Sequence, residues 1–258
     1  MSEVKSASRV MQILNLLQNH PLGLTTSEIS ASLDLPKSSS HELLHSMATE
    51  NYLRLHKSRY SLGLKVFEIG QAAARNSELL QHARPILRWV GGQLNEAVYL
   101  AVLDGTDVVY LSKIQFRRDI RLQSQVGARL PAHATGLGKA MLSKVAKEEV
   151  RDRFSGKAFK TFTPNTISTI DGLEKELELT RVNGYAVDRG EYTSGVFCYA
   201  MPVMDSQDQV VAAIGVALPH EPESQTHRSR ILDLLAEATS NLSQKFRVSG
   251  GNLLASNR

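Results

Sequence analysis

From Ser8 the apolar residues Val10, Ile13, Leu14, Leu16 and Leu17 recur at helical spacing, and the pattern stops at His20-Pro21-Leu22-Gly23, where Pro and Gly mark a turn. Leu24-Thr25-Thr26-Ser27-Glu28 then offers hydroxyl N-caps ahead of Ile29, Ala31 and Leu33, which predicts a second helix of about two turns. Asp34-Leu35-Pro36 breaks the chain again, and Pro36 suits the first position of a third helix. On that helix Ser40, Leu43, Leu44 and Met47 share one face, leaving Lys37, Ser38, Ser39, His41, Glu42 and His45 on the other. Tyr52 to Leu55 and Arg59 to Leu62 alternate as two short strands.

Three helices, the last two joined by a tight turn and followed by a hairpin, make a winged helix-turn-helix. Such a unit gives the serine-rich start of the third helix a use. A recognition helix presents its N-terminal residues to the major groove, where short hydroxyl side chains approach base edges and phosphates closely. The wing carries Arg54, His56, Lys57 and Arg59 without an intervening acid, which suits phosphates or the minor groove. The candidate DNA contacts are therefore Thr26, Lys37, Ser38, Ser39, Ser40, His41, His45, Arg54, Lys57 and Arg59. Serine-rich helix starts also serve as caps, and basic hairpins are often only solvated edges; neither explains the whole order of elements.

Residues 64–76 predict a linking helix with a loose apolar stripe of Leu64, Phe67, Ile69 and Ala72. A helical link of this kind would transmit rotation between domains where a Gly/Ser linker would not. Beyond it, a helix from about Leu79 to Leu94 precedes strands at Ala97 to Leu103 and Val108 to Ile114, joined by the hairpin signal DGTD. DIRLQSQVG, residues 119–127, predicts a further strand. Helices follow at about 137–145, 147–154 and 170–183, strands at YAVD, GVFCYAMPVMD and VVAAIGVAL, and a closing helix at 224–246. Hairpins with helices gathered against a sheet define an α+β domain. The expected layout is a DNA-binding domain over 1–63, a linker helix over 64–76 and a second domain over 77–250.

Composition narrows the function classes. The 258 residues carry a formal charge of +4, and residues 1–76 hold eight Lys/Arg against six Asp/Glu together with four of the eight histidines. The single cysteine, Cys198, excludes an internal disulfide framework and a Cys-rich zinc site. No apolar run approaches the roughly 18 to 20 residues of a membrane span, and the opening MSEVKSASRVMQILNLL lacks a leader pattern, so the chain is expected in the cytoplasm with no membrane partner. An aromatic content of 6% disfavours stacking platforms for RNA. An H-E-x-x-H spacing does occur, as His41-Glu42-Leu43-Leu44-His45 on the third predicted helix, but no phosphate-binding NTPase loop does, and no cofactor is expected. An enzyme built on Cys198 or on His133 would need the fold to supply a partner group, and an architectural DNA-binding protein is the other competing class.

In LPAHATGLGKAML, Thr135 is a natural N-cap, and Gly136 and Gly138 let other groups approach an opening turn whose free N–H groups favour an anion. Close helix–sheet packing would need the same glycines. This block, with LTTSEISASLDLPKSSSHELLHSM, YSLGLKVFEIG and GYAVDRGEYTSGVFCYAMPVMD, resembles the IclR family of bacterial transcriptional regulators over nearly the whole chain. The resemblance implies a winged helix-turn-helix, a linker helix and a GAF-like effector-binding domain with an antiparallel sheet. It implies a homo-oligomer, dimer or tetramer, on a double-stranded operator, released or loaded by a small organic-acid effector. It places Ala134, Thr135, Gly136, Leu137, Asp188 and Cys198 at the effector, although a buried inert thiol is an equal reading of Cys198. Two departures stand out. Glu42 occupies a place where the family commonly has Arg. Gly215 and Ala217, in AIGVALP, stand where relatives that hold very small oxo-acids have serines, so a bulkier acid with its carbon body against Gly215 and Ala217 is expected.

Overall fold

The structure is a computed structural model that describes residues 4–116, 125–222 and 224–249. The chain divides into two compact units, residues 1–76 and 77–258. Part of the expected strand DIRLQSQVG lies outside the described residues, and Gln125 to Gly127 form no strand. Among the described residues no helix is long and apolar enough to cross a membrane.

The first unit runs α1 (Lys5–Gln18), β1 (Leu24–Thr25), α2 (Thr26–Ser32), α3 (Lys37–Thr49), β2 (Leu53–His56), β3 (Arg59–Leu62) and α4 (Leu64–Arg75). The apolar stripes meet in one core of Ile13, Leu17, Ile29, Leu44, Met47, Leu53 and Tyr60. Each large side chain so buried contributes roughly 1.5–3 kcal/mol. Helix α2 starts on a capping box: Thr25 Oγ1 accepts from the Glu28 amide at 3.2 Å, and Glu28 Oε2 accepts from the Thr25 amide at 2.7 Å. The same Thr25 belongs to β1, which adds to the wing in the antiparallel order β1-β3-β2. The two-residue strand escaped the periodicity reading because nothing so short has a period. Pro36 proves to be the N-cap residue of α3 and not its first residue.

The second unit contains α5 (Glu78–Leu94), β4 (Ala97–Asp104), β5 (Asp107–Ile114), β6 (Arg129–Pro131), a single 3-10 turn (Ala132–Ala134), α6 (Gly136–Leu142), α7 (Lys147–Phe154), α8 (Ile170–Asn183), β7 (Ala186–Arg189), β8 (Phe197–Met204), β9 (Val210–Leu218) and α9 (Gln225–Ser249). The sheet is antiparallel in the order β6-β5-β4-β9-β8-β7. Helices α5 and α9 pack on one face and α6 on the other. The central strands β4 and β9 are thus covered on both sides, which is why they read as continuous apolar runs without alternation. Beneath α6 the sheet presents Ala97, Ala101, Ala200, Ala213 and Ala217 against Leu137, Ala140 and Met141. Small residues there let the helix backbone approach the strands.

Two glycines in helices should respond oppositely to a methyl group. A Cβ on Gly138 would lie 2.3 Å from the Ala132 carbonyl oxygen, so Gly138→Ala is expected to destabilise the second unit by about 2 kcal/mol or more. Gly70, within α4, has nothing within 4 Å of an added Cβ, and Gly70→Ala should stabilise by about 0.5–1 kcal/mol. Thermal unfolding followed by circular dichroism measures both.

Candidate nucleic-acid interface and ligand cavity

Helix α3 exposes Lys37, Ser38, His41, Glu42 and His45, with Ser39 half-buried beside them. Its N-cap, Pro36, supplies no side-chain hydrogen bond, and no acid occupies the first turn. The first intrahelical bond runs from the Ser40 amide to the Pro36 carbonyl. The amides of Lys37, Ser38 and Ser39 therefore have no intrahelical acceptor, and they mark the positive end of a 13-residue helix. Serines at this end cover little of it, leaving the amides accessible to phosphate oxygens. Glu42 shares the exposed face and sets a negative charge among the hydroxyl and imidazole groups.

Two of the expected contacts are placed differently. Ser40 is fully buried and donates its hydroxyl to the Pro36 carbonyl at 3.1 Å; it faces the core with Leu44 and cannot meet DNA. Arg59 reaches back from β3 to Glu28, 3.1 Å away, and donates to the Gly23 carbonyl at 3.0 Å. Its charge is already balanced. Arg59 and the Thr25 cap together hold Glu28 below the usual carboxylate range, the cap being the larger cause. Thr26, half-buried, is the first residue of α2. Arg54, His56 and Lys57 remain exposed on the wing. Lys57 and Ser58 form its tip with φ of 45° and 64°, the left-handed pair that a two-residue hairpin loop requires.

In the second unit one row across the sheet brings Ala97, Ala217, Cys198 and Asp188 into register. Above it lies a cavity of about 30 Å³, two to three times the least that holds one water. Its walls include Tyr99, Tyr110, Thr135, Gly136, Leu137 and Tyr192. Thr135 caps α6, its hydroxyl oxygen accepting from the Gly138 amide at 3.1 Å. The first intrahelical bond is that of the Lys139 amide to the Thr135 carbonyl. The Gly136 and Leu137 amides are therefore left without an intrahelical acceptor at the cavity wall. Of the two uses expected for the glycines, close packing is seen directly. A Cβ on Gly136 would lie 3.1 Å from the Cys198 carbonyl oxygen, so packing needs it as much as any ligand does.

Asp188, Cys198 and Ala217 line this cavity, whereas Ala134 and Gly215 are not among its lining residues. Ala134 is buried in the 3-10 turn. Gly215 is covered by Leu137, whose Cδ2 would lie 3.1 Å from an added Cβ, and by the Cys198 sulfur at the same distance. The room expected at Gly215 is filled, and of the two positions only Ala217 lines the cavity. The Asp188 carboxyl accepts from the Glu191 amide at 2.7 Å. Burial pushes its pKa up to about 7, against the pull of that hydrogen bond. Burial likewise raises the Cys198 thiol far above its ordinary value, so the sulfur is a neutral wall and no thiolate nucleophile. His133 does not line the cavity. It packs edge-on against the stacked pair Phe154 and Phe159, its Nε2 3.2 Å from the Lys160 carbonyl oxygen, and burial lowers its pKa.

Sequence reasoning missed Tyr99, Tyr110 and Tyr192, which look like ordinary strand and loop aromatics. It also missed Lys139, which is fully buried. The Lys139 ammonium group donates to the Val187 carbonyl at 2.6 Å, to Glu176 at 3.3 Å and to Glu191. The signal was available, because Lys139 stands among Leu137, Ala140, Met141 and Leu142 in a helix with no polar face.

The Asp188 carboxyl makes stability pH-dependent. Its folded pKa lies above the unfolded value near 3.9, so between about pH 4 and 7 the native state holds the proton the unfolded state has lost. Stability from this group is full below about pH 4 and falls until about pH 7. Asp188→Asn keeps an acceptor for the Glu191 amide and is expected to gain roughly 2–4 kcal/mol at pH 8 and little at pH 4. Denaturant titrations at the two pH values check this.

Residues 6–56 match the family model for the IclR helix-turn-helix domain, and residues 71–244 match that for the bacterial transcriptional regulator IclR C-terminal domain. The regulator XynR of Escherichia coli is 32% identical over 216 residues, covering 83% of this chain and 86% of its own. KdgR of Dickeya chrysanthemi is 31% identical over 247 residues, 93% of this chain and 80% of its own; the repressor AllR of Escherichia coli is 32% identical over 217 residues, 83% and 80%. Among solved structures, IclR of Thermotoga maritima superposes with a TM-score of 0.75 at 25% identity, covering 95% of this chain and 99% of its own. An IclR homologue of Microbacterium hydrocarbonoxydans, complexed with 4-hydroxybenzoate, shares the fold with a TM-score of 0.81 at 24% identity, covering 95% of this chain and all of its own. The chain belongs to the IclR family: it is a ligand-responsive transcriptional regulator with a helix-turn-helix for DNA and an effector domain for a small molecule.

Proposed function

We propose that this chain represses a catabolic or metabolic operon in the cytoplasm, and that a small organic acid bound in the second unit relieves or sets the repression. The observation that carries the reading is the cavity itself. Two first-turn amides stand at its wall, and a carboxyl with a pKa near 7 lines it beside them. A carboxylate accepting from the Gly136 and Leu137 amides would face Asp188 in its protonated form, which donates where a carboxylate would repel. The name of AllR, a repressor, supports the sign of regulation, and the 4-hydroxybenzoate complex of the Microbacterium homologue supports an acid as ligand.

On the DNA side, the reading head is small, and two-fold proteins read two-fold sites. The chain therefore acts as a dimer on a roughly palindromic operator, with a tetramer as a pair of such dimers. Selection of bound duplexes from a random pool is expected to return a palindrome, and sedimentation to show at least a dimer. Monomers protecting a single half-site would end this reading. Titration of the selected complex with organic acids, followed by fluorescence anisotropy, should then change the bound fraction.

Within the head, Lys57→Ala should weaken binding to every duplex and lower the slope of log affinity against log salt by about 0.9 for one lost phosphate contact. His41→Ala or Ser39→Ala should alter the ranking of operator variants, by about 1–3 kcal/mol where a base contact is lost. Anisotropy titrations across salt and across variants separate the two patterns, and their exchange between wing and helix would reverse the assigned roles.

A further inference from the structure

We propose that Tyr99 is an effector-recognition residue, and that the effector carries a second oxygen function, hydroxyl or oxo, remote from its carboxylate and hydrogen-bonded to the Tyr99 hydroxyl. The proposal rests on the organic-acid reading above and specifies the other half of the ligand. Tyr99 stands on β4, on the sheet face that meets α6, and lines the cavity. It is 2% exposed, yet its hydroxyl has no hydrogen-bond partner among the described residues. A buried tyrosine hydroxyl ordinarily has one, because an unmade bond forfeits the hydration lost on burial.

The ring is held before any ligand arrives. Tyr110 packs against it edge-on, with centroids 5.4 Å apart and planes at 88°, and the Lys113 ammonium nitrogen lies 5.6 Å from its centroid. Burial keeps the phenol protonated, with the Cys198 sulfur as a lesser cause. The hydroxyl can thus donate to an oxo group or accept from a hydroxyl. Between β4 and β7 lie β9 and β8, which separates the Tyr99 and Asp188 backbones by ~14 Å at the usual strand spacing. The floor between them carries the short side chains of Ala217 and Cys198. Tyr99 and Asp188 line one cavity together with these short side chains, which matches an acid carrying a second oxygen, and the space of about 30 Å³ would have to widen to admit it.

The test uses the full-length protein, its Tyr99→Phe variant and three pairs of acids: 4-hydroxybutyrate with butyrate, 4-oxopentanoate with pentanoate, and 4-hydroxybenzoate with benzoate. Dissociation constants come from isothermal titration calorimetry. For at least one pair the wild type is expected to bind the oxygenated member about tenfold tighter or more. Tyr99→Phe should bring that ratio to about one while leaving the plain acid's affinity in place. Because Phe keeps the ring and its packing, the ligand-free melting temperature should be unchanged or higher. A preference that survives in Tyr99→Phe, or its absence from the wild type while acids still bind and shift DNA affinity, would overturn the role of Tyr99 and leave the organic-acid reading standing. If none of the six acids binds, the organic-acid reading falls and this inference falls with it.

Discussion

The effector unit is organised around the ammonium group of Lys139. Removing such a group from water costs several kcal/mol unless its donors are matched, and Lys139 matches its three with Val187, Glu176 and Glu191. Those acceptors belong to β7, to the loop that continues it and to α8, so one side chain fixes α6 against two separate pieces of chain. The cavity is lined in part by α6, by β7 and by the loop after it. Its amides belong to the helix that carries Lys139, and Asp188 is next to the residue whose carbonyl Lys139 holds. The geometry that would read a ligand is therefore set by an interaction that touches no ligand.

Legibility in the sequence followed the range of the interactions. Helices α8 and α4 could be read almost to the residue because their apolar spacing is local and sustained, whereas α1 begins three residues before the expected Ser8. The hairpin β4–β5 was legible because DGTD specifies a turn, and Gly105 takes the positive φ that the turn needs. Strands β1 and β6, of two and three residues, are made by their partners. The reading head was legible as a type and less so as a set of contacts. Ser40 is four residues before Leu44 and seven before Met47, so its burial was written in the same spacing that placed it beside them. The Arg59 pairing with Glu28 spans 31 residues and leaves no local mark. Of the effector site, the Thr135 cap and the row of Asp188 and Cys198 followed from motifs. The cover over Gly215 depends on where a distant Leu137 side chain lands, which no spacing encodes.

The wing shows a different economy. Two-residue hairpin loops favour Asn-Gly because left-handed backbone is costly for other residues. Here the tip is Lys57-Ser58, both with positive φ. Some stability has been exchanged for an exposed cation at the tip of the hairpin. Arg59, one step further along, is instead drawn inward to Glu28, which also caps α2. One carboxylate thus joins the start of α2 to the wing beside its tip.

The loop from Gly190 to Val196 gives the cavity Tyr192, Thr193 and Val196. It is itself tied down by hydroxyl groups of another segment. Thr163 donates to the Gly190 carbonyl at 2.7 Å and Thr166 to that of Glu191 at 2.6 Å, while the Asn165 amide holds the Arg189 carbonyl at 2.9 Å. Thr163, Asn165 and Thr166 do not themselves line the cavity, so a substitution there would loosen this wall while leaving every lining side chain in place.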